Sequence, residues 1–400
     1  MRPSYSPKRL FVASCVALLV VGMSFSIRGE ILGALGAQFE LTNEQLGWIA
    51  GAAFWGYTAC IFIGGHLCDF LGMGKLLIAA CLAHIAGILL TIFAGGFWTL
   101  WSSTLVIGAA NALLEAAVNP LVATIYPDQK TEKLNSVHAW FPWGIVVGGL
   151  ATLLLTQVKV GWQWKIALMI GPTIVYGAMS VGQKFPVTER VRTGVSTSRM
   201  YRETLRPMFL LWLACMFLTA STELGPNQWI PNILTNTAHM PGILILIWIN
   251  SLMAIGRMVA GPVVQRLSPL GVLIAAAVLA AIGLYVLSEA DRPSSALLGA
   301  TIFAVGCCYF WPTMLGLASE RFPAAGAWGL AVIGGGGNLS VALILPVMGR
   351  IYDLQGPRLA LRYVVLLPVT LIFIFTAIWL RDSKRSGYAI ENLRVGTDAK

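Results

Sequence analysis

The sequence predicts an all-α membrane protein with twelve transmembrane helices, arranged as two pseudo-symmetric halves of six helices each. Its 400 residues are 57% hydrophobic and only 11% charged, whereas soluble domains carry about 25% charged residues. A water-soluble enzyme of this length could not cover its surface with so few charges, so we exclude that class. At about 20 apolar residues for each membrane crossing, the apolar content suffices for about a dozen spans.

Twelve apolar stretches, separated by polar connections, are predicted to cross the membrane. They cover residues 9–37, 45–67, 75–95, 98–125, 135–157, 163–183, 207–232, 240–265, 269–289, 295–318, 326–349 and 359–381. The connections after even-numbered spans and the two termini, with the span ends beside them, together hold 19 of the 27 lysines and arginines. Arg350, Arg358 and Arg362, after the eleventh span, are the exception to this pattern. Because basic residues collect in cytoplasmic loops, we expect a multi-pass protein of the cell (inner) membrane with both termini in the cytoplasm.

The same distribution accounts for the net charge of +10, which therefore reports topology and does not indicate a nucleic-acid partner. The longest polar insert is the basic stretch at 184–206. It predicts an N-terminal half at 1–183, a cytoplasmic linker at 184–206, a C-terminal half at 207–381 and a cytoplasmic tail at 382–400. The sequence contains no metal-ligand spacing, nucleophile motif or phosphate-binding loop. We therefore expect no cofactor, no metal site and no enzyme activity.

The connection between the second and third spans carries a motif, GHLCDFLGMGK at residues 65–75. It resembles the signature loop of the major facilitator superfamily, and the matching positions are Gly65, Leu67, Asp69, Gly72 and Lys75. Phe70 stands where that loop has a basic residue. A decayed copy follows from Arg257 at the end of the eighth span, as the parallel repeats of this superfamily imply. The resemblance implies the major facilitator fold and a conformational-switch loop that includes Arg257.

A finer resemblance concerns the fourth and fifth spans. Glu115 precedes Asn119-Pro120, and Asn135 opens the next span ahead of an aromatic residue and a glycine. This arrangement is similar to the fucose–galactose–glucose proton-symporter branch of the superfamily, and it implies a proton-coupled sugar carrier. The first span departs from that branch, because it carries Arg28 and Glu30 where the branch has an aspartate.

Five charged side chains fall inside the predicted spans, away from the span ends: Arg28, Glu30, Glu115, Glu223 and Arg257. Each costs about 2.5–3.5 kcal/mol at the bilayer centre unless it is paired, so a function is the default expectation. We predict proton coupling for Glu115, Glu223 and Glu30, because desolvation favours a neutral carboxyl group and water favours the ion. For Glu115, direct contact with substrate or a structural ion pair stays open, and Arg28 is the expected partner.

Alternatives also stay open for the other buried groups. Glu30 could simply lie near the outer surface of a long first span. Glu223 precedes Gly225-Pro226, which can interrupt a helix, and it could bind substrate, gate the site or form a structural pair. Arg257 is expected to pair locally near the cytoplasmic end of the eighth span, and His84 is expected to be a packed, hydrogen-bonded histidine.

Polar and aromatic side chains in or beside the spans define a predicted substrate cavity. The candidates are Arg28, Asn111, Asn119, Asn135, His138, Trp140, Asn227, Gln228, Trp229, Asn250, Trp311 and Asn338. Amide groups can bond to sugar hydroxyls and aromatic rings can stack on the apolar face of a sugar, and a buried amide without a partner is costly. These side chains should therefore face the interior.

Together, these observations predict a secondary active transporter that takes up a sugar or sugar-like solute with a proton by rocker-switch alternating access. Two alternatives stay open: a carrier of a small organic anion such as a sugar acid, which an inward-facing Arg28 would favour, and a proton-antiport exporter of drugs or metabolites. The expected partners are a small-molecule substrate, a proton or a sodium ion, and the lipid bilayer. We expect the chain to act as a monomer.

Overall fold

The computed structural model describes residues 5–41, 43–238 and 242–384, which fold into α-helices without any strand in those ranges. The α-helices are α1 (Pro7–Phe39), α2 (Asn43–Leu71), α3 (Met73–Ile92), α4 (Phe97–Ile125), α5 (Lys130–His138), α6 (Trp140–Gln157), α7 (Trp162–Ala167), α8 (Ile170–Ser180), α9 (Glu189–Arg192), α10 (Thr197–Thr204), α11 (Pro207–Thr237), α12 (Gly242–Met258), α13 (Ala260–Ser288), α14 (Pro293–Cys307), α15 (Phe310–Arg321), α16 (Gly326–Gln355), α17 (Pro357–Val364) and α18 (Leu366–Ser383). Short 3₁₀ turns at Pro127–Gln129 and Pro323–Ala325 precede α5 and α16.

These helices supply the twelve predicted spans. In the described residues, ten helical stretches are long and apolar enough to cross a membrane, and Leu244–Met258 is a shorter apolar helix. The remaining span, the sixth, consists of α7 and α8. The predicted all-α membrane fold is therefore confirmed, and residues 385–400 of the predicted tail lie outside the described residues.

Four spans differ from the prediction because each is broken into two helices, namely the fifth (α5 and α6), sixth (α7 and α8), tenth (α14 and α15) and twelfth (α17 and α18). In each of these four spans, the third residue of the second helix is a proline: Pro142, Pro172, Pro312 and Pro368. Proline lacks an N–H group, and its ring collides with the carbonyl group four residues earlier. Each break therefore leaves a backbone carbonyl without its helical partner.

The helices pack as two bundles that meet along a central interface. α2 and α3 pack on α4, and α1 packs on α6, whereas α13 packs on α14 and α11 on α16 in the second half. Between the halves, α2 contacts α16, α6 contacts α12, and α5 contacts α15. A functional site shared by the two halves is therefore expected along this interface, among these six helices and the neighbouring helices α1, α4 and α11.

The predicted linker contains two short helices, α9 and α10. We call the side of the molecule that carries these two helices the linker face, and the other side the opposite face. Arg9 near the start of α1 donates to the carbonyl groups of Ala178 and Met179 just before the linker, so α1 runs from the linker face towards the opposite face. The domain boundaries around residues 184–206 remain a proposal.

Candidate functional site

Two adjoining cavities lie between the halves. The larger, of about 330 Å³, extends towards the opposite face, and its lining includes Arg28, Glu30, Asn227 and Asn250. The smaller, of about 50 Å³, lies on the linker side of the larger one. The two share these lining residues: Phe25, Phe54, Phe141, Glu223 and Leu224. The structure thus brings charged, amide and aromatic side chains of both halves to one place.

Aromatic rings form the boundary between the cavities. Phe25 packs edge-to-face against Phe54 and Phe141, with ring centroids 5.8 and 5.4 Å away. The guanidinium carbon of Arg28 lies 5.2 Å from the centroid of the Phe25 ring, a distance typical of a cation–π contact. This part of the site is an apolar aromatic wall with a cation at its edge.

The expected partnership between Arg28 and Glu115 is wrong. The Tyr57 hydroxyl donates to Glu115 at 2.9 Å, and Glu30 pairs instead with Lys165 at 3.7 Å and accepts from Thr156 at 3.0 Å. Among the side chains that the structure describes, no carboxylate forms an ion pair with Arg28. Packing of α2 against α4 brings Tyr57 to Glu115, so the acid is satisfied within its own half and Arg28 is left for the cavity.

Glu115 is one of three polar side chains spaced one helical turn apart on α4. Asn111 and Glu115 line the smaller cavity, whereas Asn119 turns to His138, with 2.9 Å between its amide oxygen and the histidine Nε2. His138 lines the smaller cavity together with Trp311 and Asn338. All six side chains lie deep in the structure, since each is at most 8% exposed.

A buried ion pair crosses the floor of the smaller cavity. Arg257 on α12 donates to Glu223 on α11 at 2.7 Å and is only 1% exposed. It also donates to the carbonyl groups of His138, at 3.2 Å, and of Cys308. These two carbonyls are the ones freed by Pro142 and Pro312, so one guanidinium group satisfies the broken ends of α5 and α14.

The assignment of Arg257 to the conformational-switch loop with a local partner is therefore wrong, because its side chain lies at the centre of the molecule. Its hydrogen bond to His138 joins the two halves directly. Removing either member of such a buried pair leaves an uncompensated charge, which costs about 3–5 kcal/mol. Glu223 and Arg257 are therefore coupled, and a change in the charge of one must be answered by the other.

Several predicted substrate contacts lie elsewhere. Asn135 donates to Thr313 where α5 meets α15, Trp140 packs against the hydrophobic core, and Trp229 stacks on Tyr352 with 5.8 Å between ring centroids. Neither cavity includes Asn119, Asn135, Trp140 or Trp229 in its lining. The prediction for Gln228 falls outside the described side chains.

The predicted switch loop lies at the linker face, where charged groups join the N-terminal half to the linker and to the C-terminal half. Arg190 of α9 donates to Asp69 at 2.7 Å, and the other contacts are the ion pair from Lys130 to Glu189 and the hydrogen bonds from Thr131 to Glu320. Gly72 has a φ of 87° between α2 and α3, and Lys75 is exposed. The linker-face residues Lys130, Glu189, Arg190 and Glu320 are not predicted from the sequence, because charges at span ends indicate topology and do not reveal which groups they pair with.

Gly65 permits a close approach of the two halves at this face. A Cβ atom at this position would lie 2.1 Å from the Cβ atom of Ala331 on α16, so only glycine allows α2 and α16 to touch here. We expect Gly65→Val to push the linker face open. A cysteine introduced at Ser319, on a background without native cysteines, should then react faster with a thiol reagent.

The matched control for this prediction is Gly51→Val on the same helix, because a Cβ atom at Gly51 has no neighbour within 4 Å. It should leave the reactivity of the cysteine at Ser319 unchanged. Equal reactivity in Gly65→Val and the unmodified background would contradict the role assigned to Gly65.

Comparison with known proteins agrees with this architecture. The family described as Major Facilitator Superfamily matches residues 11–328. The protein is thus a membrane transporter and not an enzyme, and the chain belongs to the major facilitator superfamily, as its sequence predicts.

Two relatives match about two thirds of the chain. A 3-(3-hydroxy-phenyl)propionate transporter of Escherichia coli (strain K12) is 23% identical over 280 residues, which cover 67% of this chain and 68% of that protein. A gentisate transporter of Corynebacterium glutamicum is 23% identical over 286 residues, covering 66% of this chain and 63% of that protein. These relatives share sequence with the chain over about two thirds of its length.

Solved structures show the same fold. Two structures of FucP, the E. coli fucose:proton symporter, match with TM-scores of 0.77 and 0.74. FucP is 18% identical to this chain, and the match covers 92% of this chain and 98% of FucP. At this identity the likeness shows the fold alone.

Proposed function

We propose that this transporter takes up a small aromatic carboxylate together with a proton. The observation that carries the proposal is Arg28, a cation that lines the larger cavity with no ion-pair partner among the described residues and with a phenylalanine ring 5.2 Å away. A carboxylate is the natural partner of a guanidinium group, and the aromatic wall accommodates the rest of the molecule.

The charge balance of the two cavities supports both parts of this proposal. Glu223 is neutralised by Arg257, and Glu30 by Lys165. Of the charged side chains that line the two cavities, Arg28 and Glu115 remain. Both charges are neutralised if a substrate carboxylate binds to Arg28 and a proton binds to Glu115. The fully loaded site then carries no uncompensated charge, which lowers the cost of closing it away from water.

The size and lining of the larger cavity suit such a substrate. Its volume of about 330 Å³ falls within the range of about 300–1,000 Å³ that is usual for small-molecule sites. Phe25, Phe54 and Phe141 supply apolar surface, and aromatic pairs in edge-to-face geometry are favourable. Two relatives named for the transport of aromatic acids also support this choice.

A neutral sugar is the second candidate. The amide groups of Asn227, Asn250 and Asn338 favour it, since they line the cavities and can bond to hydroxyl groups. However, a neutral sugar would leave Arg28 without a counter-charge. Of the predicted tryptophans, only Trp311 lines either of the two cavities.

Uptake into proteoliposomes distinguishes these candidates. Labelled fucose, gluconate, benzoate and 3-phenylpropionate are each offered with and without an inward proton gradient, and protein-free vesicles serve as the blank because protonated aromatic acids cross bilayers unaided. We expect the gradient to raise the initial uptake rate above that of the protein-free blank for the two aromatic acids and for neither fucose nor gluconate. Stimulated uptake of fucose alone would establish the sugar carrier, and failure of the whole panel with folded protein would favour an exporter.

A further inference from the structure

A chain of buried hydrogen bonds connects the smaller cavity to side chains that do not line it. Asn111 lies at 2.8 Å from Nε2 of His84, and Nδ1 of His84 lies at 2.9 Å from the hydroxyl group of Tyr176. The amide nitrogen of Asn111 also bonds to Ser24 at 3.3 Å. The chain therefore joins α1, α3, α4 and α8, and only Asn111 reaches the cavities of the site.

One backbone carbonyl group determines which atoms donate and which accept in the hydrogen bonds of Ser24 and Asn111. Ser24 Oγ lies 2.7 Å from the carbonyl oxygen of Val21, and two oxygens at this distance repel unless a proton lies between them. The Ser24 hydroxyl therefore donates to Val21, and towards Asn111 it can only accept. The Asn111 nitrogen must then face Ser24, and its oxygen must face His84.

The same reasoning determines the state of His84. Because the Asn111 oxygen can only accept, Nε2 of His84 carries a proton and donates to it. His84 is completely buried, and no carboxylate bonds to it in the described part of the chain. An imidazolium ion there would be an unpaired buried charge, so Nδ1 is unprotonated and accepts the hydroxyl proton of Tyr176.

We propose that His84 is a positioning residue that sets the hydrogen-bonding polarity of the smaller cavity through Asn111. With its oxygen facing His84 and one N–H group bonded to Ser24, Asn111 has a second N–H group that it can offer to the cavity. This donor lies one helical turn from Glu115, on the same face of α4. A substrate oxygen that enters the smaller cavity thus meets a fixed donor, and an amide rotated by half a turn would present an acceptor instead.

The tautomer of His84 tests the proposal without any knowledge of the substrate. Nitrogen NMR of ¹⁵N-histidine-labelled protein, with His84→Gln to assign the signal, should show His84 neutral and protonated at Nε2. Tyr176→Phe removes the donor to Nδ1, so the Nδ1 signal should shift, whereas Nε2 should stay protonated because the Asn111 oxygen still requires its proton. A protonated Nδ1 in the unmodified protein, whether in the other tautomer or in the imidazolium form, would overturn the proposal.

The effect on transport rests on the proposed function and is measured separately, with 3-phenylpropionate and 3-(3-hydroxyphenyl)propionate as probes. For whichever acid is carried, His84→Leu should raise KM about tenfold with kcat changed less than about twofold. His84→Gln retains an N–H group for the Asn111 oxygen, so it should restore KM to within about twofold of the original.

Thr91→Val is the matched control, since Thr91 lies on the same helix as His84. Its buried hydroxyl group bonds to Gly87 and Ser103, which are not part of the hydrogen-bond network around His84. It should leave KM unchanged. Equal KM values for His84→Leu and His84→Gln would overturn the positioning role. If neither acid is carried by the unmodified protein, the proposed function fails, and the tautomer of His84 still decides this inference.

Discussion

Replacing Arg28 by glutamine is expected to lower kcat/KM for uptake of an aromatic acid by about 30-fold or more. The variant loses a charge-assisted contact to the substrate carboxylate, and truncating one partner of such a pair costs about 2–5 kcal/mol, of which each 1.36 kcal/mol is tenfold in rate. The measurement is the initial rate of proton-driven uptake of 3-phenylpropionate into proteoliposomes, at several concentrations, after subtraction of the protein-free blank.

Two comparisons make the Arg28 result specific. Arg28→Lys keeps the charge but loses the two-pronged geometry of the guanidinium group, so it should fall between the unmodified protein and Arg28→Gln. Uptake of the neutral 3-phenylpropionamide, if measurable, should not decrease in Arg28→Gln. A rate for the acid that is unaffected by Arg28→Gln would contradict the assignment of the carboxylate to this residue.

The second large effect is expected at Glu115, where glutamine should abolish uphill accumulation and preserve exchange of labelled for unlabelled substrate. A glutamine is permanently neutral, as a protonated glutamate is, and its amide oxygen can still accept the hydrogen bond from Tyr57. The loaded protein can then reorient, but no proton is moved. The measurement compares gradient-driven accumulation with counterflow in the same vesicles.

Asp291→Asn provides the control for loss of a carboxylate, since Asp291 lies between α13 and α14 and pairs only with its neighbour Arg292 among the described residues. It should accumulate substrate normally. If the Glu115→Gln protein still concentrates its substrate, the proton is coupled through another group, and the Glu223–Arg257 pair becomes the next to test.

The fold was predictable because membrane insertion makes hydropathy a direct signal of structure. Each span must satisfy its own backbone hydrogen bonds in the bilayer, so an apolar stretch of sufficient length is a helix whatever surrounds it. The breaks in the fifth and tenth spans were not predicted, although Pro142 and Pro312 are visible in the sequence. Whether a proline kinks or ends a helix depends on what satisfies the freed carbonyl group, and here Arg257 does so from another helix.

The sequence predicts many of the residues of the candidate site, but it does not predict which side chains form hydrogen bonds or ion pairs with each other. Arg28, Asn111, Glu115 and Glu223 could be singled out because a buried polar group in a span is costly. Their partners could not, since Tyr57 is 58 positions from Glu115 and reaches it only through the packing of α2 on α4. Arg190 was missed for a similar reason, because nothing in a basic linker reveals which of its charges will fold back onto Asp69.

The central claim, that the cavity holds an anionic aromatic substrate, is tested most directly by calorimetric titration of the purified protein. 3-Phenylpropionate and its neutral amide have nearly the same shape and differ in charge. We expect the acid to bind at least about tenfold more tightly than the amide, and fucose not to bind. Equal binding of acid and amide, or binding of fucose without the acid, would contradict the claim.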